Sequence, residues 1–254
     1  MKIHNTDIVK SDLVHIDKCT GYIFWVEKSE WLHIWLGVED RSGWMKRSEG
    51  RSGWVERSEG LNVWLGGEDW RAMHQGVIST RVGYTGGTTV NPTYRNIGDH
   101  AETVDIEFDP HRITYEDLLN LFWKSHDPTS FYRTQYMSAI FYHDEEQRVV
   151  AEKTKSEHQQ GKVRPIVTKI ALAGPFYEAE DYHQKYKLRQ HPELLRKLAL
   201  DERQLIRSKV AAKLNGYMGG SGSLEDFEKD KQELDLKHEV VKYVENQLRK
   251  TYKD

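Results

Sequence analysis

The sequence holds a single cysteine, Cys19, which excludes an intramolecular disulfide and any zinc site built on several cysteines. Any thiol chemistry within the chain would have to use that residue. Long apolar runs are also missing. Nothing approaches the roughly 18 apolar residues of a membrane helix, and Met1 to Thr20 contains no apolar core of a signal peptide. A cytoplasmic protein without membrane contact is therefore expected. Neither charge dominates: 37 basic against 40 acidic residues give a formal net charge of -3 without large same-sign blocks. Such a balance leaves no footprint for nucleic acid, so the expected partner is a protein or a small molecule.

The 254 residues, 37% of them hydrophobic, suffice for one full core plus appendages. Four segments are read from the chain. Residues 1–20 form an N-terminal arm with weak alternation, and residues 21–70 a Trp/Gly-rich insertion. Residues 71–200 form a catalytic domain, and residues 201–254 a helical extension. The insertion is conspicuous because the stretch from Cys19 to Trp70 carries seven of the eight tryptophans. Within it Arg41–Gly50, RSGWMKRSEG, returns as Arg51–Gly60, RSGWVERSEG, and WLGVED from Trp35 is echoed by WLGGED from Trp64. A period of ten residues suits neither a long helix nor a solenoid, whose units are about twenty residues or more, so this stretch is expected to be poorly ordered.

Past Trp70 the patterns become regular. Glu102-Thr103-Val104-Asp105-Ile106-Glu107-Phe108 alternates with period 2 as a half-buried strand does, which puts Glu102 on the side of Val104, Ile106 and Phe108. A carboxyl there is desolvated, its pKa rises above about 4.3, and it can act as a general acid near neutral pH. The competing reading is a strand-end glutamate bent out to water. Val77–Val82 suits a strand, and Gly83–Gly87 supplies the freedom for a tight turn. Thr114 and Asp117 cap a helix that Asp127-Pro128 stops. A strand over Met137–Tyr142, a helix from Asp144 to Gly161 and a strand over Ile166–Leu172 follow. Further helices are expected from about Glu178 to Leu188, after His191-Pro192, and from Asp201 to Asn215, the last closed by Gly216. A hinge, GYMGGSGS, then leads to a helix capped by Ser223 and Asp226, which runs into a charged one ending at Tyr252.

Several of these strings together resemble one family, the A-type methionine sulfoxide reductases, or peptide-methionine (S)-S-oxide reductases. The strings are GVISTRVGYTGG, NPTYRNIGDHAETVDIEFDP, ITYEDLLNLFWKSHDPT, TQYMSAIFYHDEEQ and PFYEAEDYHQKY, in family order over roughly Gly76 to Leu198. SKVAAKLNGYMGG is similar to the tail of insect-like members. The resemblance implies an α+β fold, a two-layer mixed-sheet sandwich, here with the Trp-rich repeat insertion and C-terminal helices. It implies reduction of protein-bound or free methionine S-sulfoxide, the repair of oxidised proteins under oxidative stress. No cofactor is bound in such enzymes, and thioredoxin or another thiol is the external reductant. Glu102 would be the acid, and Tyr94 and Tyr136 would match the family's two sulfoxide-binding tyrosines. His100 would brace the loop; with His111 and His126 it lacks the spacing of metal ligands, and no metal is expected.

The chain departs from that family at the nucleophile. The GCFWG motif, in which a helix amino terminus activates the thiol, is absent. Gly21–Glu27 keeps a Phe-Trp pair, Phe24 and Trp25, as candidates for the methyl pocket, while Cys19 is a nucleophile candidate only because it is the sole thiol. The carboxylate that precedes TQY in the family is missing too, Phe131-Tyr132-Arg133-Thr134 standing in its place, which predicts weaker hydrogen-bond support for the acid. The alternative to a reductase is a pseudoenzyme that binds oxidised-methionine peptides without reducing them.

Overall fold

Six separate stretches of the chain meet in one mixed sheet. The structure, a computed structural model, describes residues 19–24 and 75–251. Its strands are β1 (Cys19–Phe24), β2 (Val77–Thr85), β3 (Ala101–Phe108), β4 (Ala139–Tyr142), β5 (Lys169–Leu172) and β6 (Tyr177–Glu178), in the spatial order β5-β4-β1-β3-β2-β6. Every neighbouring pair is antiparallel except β4 and β5, which run parallel. With eight helices among the described residues, the class is α+β, as expected. The Met1–Lys18 arm and the ten-residue repeats lie outside the described residues.

Helices α1 (Tyr115–Lys124) and α2 (Glu145–Gln159) close the first core. Thr114 starts α1 with a full capping box, its side chain accepting from the Asp117 amide while Asp117 reaches back, as the sequence predicts. Leu118, Leu119 and Phe122 of α1 then pack with Val104, Ile106 and Phe108 of β3. Burial of such side chains is worth ~1.5–3 kcal/mol each, and β3 is also paired along its length with β1 and β2. Asp144 caps α2 by accepting from the Gln147 amide.

The tail builds a second core. Helices α3 (Tyr186–Arg189), α4 (Pro192–Leu198), α5 (Glu202–Arg207), α6 (Lys209–Met218), α7 (Leu224–Glu233) and α8 (His238–Thr251) bury Leu188, Leu214, Tyr217, Phe227 and Val244 together. Helices α5 and α6 also pack on β2.

Several elements differ from the sequence expectation for identifiable reasons. The strand β1 runs across the boundary drawn between arm and insertion at residue 20, with β3 on one side and β4 on the other. β3 is covered on both faces, not one: Thr103 and Asp105 are as buried as the apolar positions. Asp105 accepts from Arg81 Nε at 2.6 Å, Arg81 binds Glu178 at 2.5 Å, and Glu178 takes Arg207 of α5 at 2.8 Å, so charged residues fill the second face. The helix expected from about Glu178 is confined to Tyr186–Arg189. Lys185 stands before it at φ 50, with its ammonium buried and donating to the Thr80 carbonyl at 2.5 Å. The Ile166–Leu172 strand begins only at Lys169, because the Ile166 and Val167 amides are already taken by the Gln159 side chain and the Pro128 carbonyl. The helix expected over Asp201–Asn215 is two helices, parted at Ser208, whose extended backbone lets its hydroxyl cap α6. Gly216 lies inside α6, which Gly219 ends. The hinge is thus reduced to the turn after Met218, with Gly220 and Gly222 at positive φ. Tyr252 lies outside the described residues.

Candidate functional site

Glu102 sits near the start of β3, directly opposite Tyr84 of β2 in the register, so the two side chains share a face. It is 9% exposed. Burial pushes its carboxyl up to about 7; the Glu180 charge adds to the rise, and a hydrogen bond from Gln135 opposes it. Gln135 Nε2 donates to Glu102 Oε1 at 2.6 Å. In the protonated acid that bond occupies the carbonyl oxygen and leaves the other oxygen to carry the proton. The hydrogen-bond support expected to be weak for want of a carboxylate before TQY is therefore supplied by the amide inside TQY.

Gln135 and Tyr136 belong to a short 3-10 turn, Thr134–Tyr136, that leads into β4. Tyr94 arrives from the loop between β2 and β3, and its hydroxyl hydrogen-bonds that of Tyr136. Both phenols are held above their ordinary pKa, first by burial. Tyr94 is raised further by the Tyr136 bond and the Glu102 charge, Tyr136 by the Glu102 charge. Both therefore stay protonated donors at neutral pH. Each is only partly buried.

The loop that carries Tyr94 is closed by local polar bonds. His100 accepts the Gly87 amide on Nδ1 at 3.2 Å and donates from Nε2 to the Thr89 carbonyl at 2.7 Å, which fixes its tautomer. The Asp99 carboxylate accepts both the amides and the hydroxyls of Thr88 and Thr89. Those bonds hold it well below the usual carboxylate range. Gly87 is required here, since a Cβ would lie 2.6 Å from the Asp99 carbonyl carbon and the His100 nitrogen. The bracing role read for His100 matches this geometry. Among the described residues no group of three His, Cys, Asp or Glu is placed to hold a metal ion.

The structure thus brings Glu102, Tyr94 and Tyr136 together. Sequence reasoning missed Gln135, Tyr84, Glu180 and His183 as neighbours of the site. All four lie within strings that resemble the family, but no periodicity singled them out. Glu180 accepts from Tyr84 OH at 2.7 Å and from the Tyr94 amide at 3.0 Å, and the His183 ring lies against Tyr94 with centroids 4.9 Å apart.

Cys19 is not brought to this cluster. The register sets it opposite Phe108, at the far end of β3 from Glu102. At a rise of ~3.4 Å per residue that is about 20 Å along the strand, beyond the reach of a side-chain thiol. The antiparallel run of β1 instead puts Phe24, paired with Ala139, at the Glu102 end of the sheet. Trp25 lies outside the described residues.

An acid protonated near neutrality beside two neutral phenols can bind and protonate a polar oxygen that carries partial negative charge. A family described as peptide methionine sulfoxide reductase matches residues 64–216. The chain belongs to the peptide methionine sulfoxide reductase family. A second family, described as the helical domain of selenoprotein methionine sulfoxide reductase A, matches residues 199–247. A peptide methionine sulfoxide reductase of Drosophila melanogaster is 44% identical over 174 residues, covering 67% of this chain and 71% of that one. The MsrA protein of Leifsonia xyli is 51% identical over 129 residues, covering 48% of this chain and 76% of its own. Among solved structures, methionine sulfoxide reductase A of Corynebacterium diphtheriae is 34% identical, covers 46% of this chain and 65% of its own, and superposes with a TM-score of 0.40. No helix among the described residues is long and apolar enough to cross a membrane.

Proposed function

We propose that this chain reduces methionine S-sulfoxide, free or in oxidised proteins, with the sulfur nucleophile supplied from outside the chain. The observation that carries the reading is the buried Glu102 carboxyl, held protonated to about 7 and facing two phenols. A sulfoxide oxygen leaves only when protonated or strongly hydrogen-bonded. Tyr94 and Tyr136 donate to that oxygen and Glu102 delivers the proton, while the β1 register puts Phe24, the methyl-pocket candidate, at the same end of the sheet. An external thiol attacks the sulfur, and its released proton together with the one from Glu102 lets the oxygen depart as water, leaving the thiol sulfur bonded to the methionine sulfur as a thiosulfonium. A second thiol then attacks the first sulfur, releasing methionine and a disulfide. Two thiols are oxidised for each sulfoxide reduced, and a thioredoxin-like dithiol is the expected physiological donor.

The register of β1 favours this external route over attack by Cys19, since the only thiol of the chain lies at the other end of the strand. The same observation supports a second reading, in which the site binds oxidised methionine without reducing it. An assay with purified protein, dithiothreitol and dabsylated S- or R-sulfoxide separates the two. The S-epimer is expected to be consumed faster than by dithiothreitol alone and the R-epimer not, with Cys19→Ser retaining the rate. Saturable binding of the S-epimer without methionine formation would establish the second reading and reject the first.

A further inference from the structure

Glu180 lies outside the set of groups that would touch the sulfoxide, yet its two carboxylate oxygens bind two different walls of the site. Oε1 accepts from the Tyr94 amide at 3.0 Å, on the β2–β3 loop, and Oε2 accepts from Tyr84 OH at 2.7 Å, on β2. Tyr84 is the register partner of Glu102 and is almost fully buried, so its hydroxyl is a fixed point of the sheet. The His183 ring, three residues on from Glu180, lies 4.9 Å from the Tyr94 ring and 3.7 Å from Glu180 Oε2 through Nε2. Burial holds that imidazole below its ordinary pKa, against the pull of the Glu180 charge.

We infer that Glu180 is a positioning residue, which ties the Tyr94 loop to the sheet beside Glu102 and so fixes the spacing between the phenol donor and the acid. This rests on the proposed sulfoxide site and deepens it. Tyr94 is carried by a loop whose bonds through Asp99 and His100 join its two ends, at Gly87–Thr89 and at Asp99–His100. The Glu180 carboxylate ties that loop to Tyr84 of β2 from a segment far along the chain. It remains ionised, since the Tyr84 hydroxyl, backbone amides and nearby His183 outweigh its burial. Its negative charge also faces Glu102 and favours the neutral acid. The titratable groups around Glu102 among the described residues are then Glu180, Tyr84, Tyr94 and Tyr136, and only Glu180 carries a charge at neutral pH.

The test is Glu180→Gln in the full chain, read by calorimetric binding of N-acetyl-methionine-S-sulfoxide methylamide and by carbon-13 titration of the Glu102 carboxyl. The affinity is expected to fall about tenfold, the scale of a lost charge-assisted hydrogen bond, and the Glu102 midpoint to move down. A residue that merely stabilised the fold would leave that midpoint in place. Unchanged affinity and midpoint would overturn the inference. If the unaltered protein binds no sulfoxide, the proposed function fails, while hydrogen-exchange protection of the Tyr94 amide, expected to fall in Glu180→Gln, still decides this inference, unchanged protection rejecting it. Should Glu180→Gln not fold, Tyr84→Phe removes only the bond to Oε2. A loss of affinity of about threefold or more then supports the link, and unchanged affinity rejects it.

Discussion

Glu102→Gln is expected to lower the rate of S-sulfoxide reduction by about 10²- to 10⁴-fold, the usual contribution of a positioned general acid. Glutamine keeps the size of the side chain and an acceptor for Gln135 Nε2, which lies 2.6 Å from Glu102 Oε1 in the unaltered protein. The fold is therefore expected to survive. What is lost is the proton that must reach the sulfoxide oxygen as it departs. Binding should weaken far less than turnover, because Tyr94 and Tyr136 still donate to the oxygen. The check is kcat and KM measured side by side for the S-epimer at neutral pH. A raised KM with kcat unchanged in Glu102→Gln would assign Glu102 to ground-state binding instead of proton transfer.

Asp230→Ala is expected to destabilise the chain by about 3–5 kcal/mol, the cost of breaking a buried ion pair from one side. Asp230 in α7 sits 3.1 Å from the Lys213 ammonium of α6, with both side chains nearly inaccessible, and it accepts from Tyr217 OH at 2.8 Å. Burial already pushes the Lys213 pKa down, and the carboxylate is what opposes that fall. Without it the ammonium must lose its proton or break the helix packing to reach water. Urea unfolding should show the loss directly. Adding Lys213→Met to Asp230→Ala is expected to restore part of it, since the buried ammonium is removed while the Tyr217 hydroxyl still loses its bond to Asp230. A double variant as unstable as the single one would place the effect in packing, not charge.

These two residues mark what was legible in the sequence. Glu102 was legible because alternation along β3 is a local signal and a charged residue on the apolar phase stands out. The cap of α1 was legible for the same reason, Thr114 and Asp117 being three residues apart. Lys213 and Asp230 were not, since in an amphipathic helix a lysine and an aspartate read as surface charge until the partner helix is known. β1 was obscured by the tryptophan-rich composition beginning beside it, and its pairing with β3 spans most of a hundred residues of chain. The break at Ser208 was hidden because a serine inside a polar-apolar pattern serves equally as a helix surface or a cap. At the site, Tyr94 and Tyr136 came from resemblance, while Gln135 and Glu180 depend on contacts across 33 and 86 residues that no periodicity encodes.

Glu102 is expected to be a neutral acid at the pH where the sulfoxide binds. Carbon-13 NMR of the protein labelled at glutamate side-chain carboxyls reads it directly, with Glu102→Gln identifying the signal. A midpoint near 7 is expected, with the acid form present below that pH and lost above it, because burial disfavours the carboxylate. A midpoint at the ordinary 4.5 would mean that Glu102 is ionised and solvated, and would contradict the account.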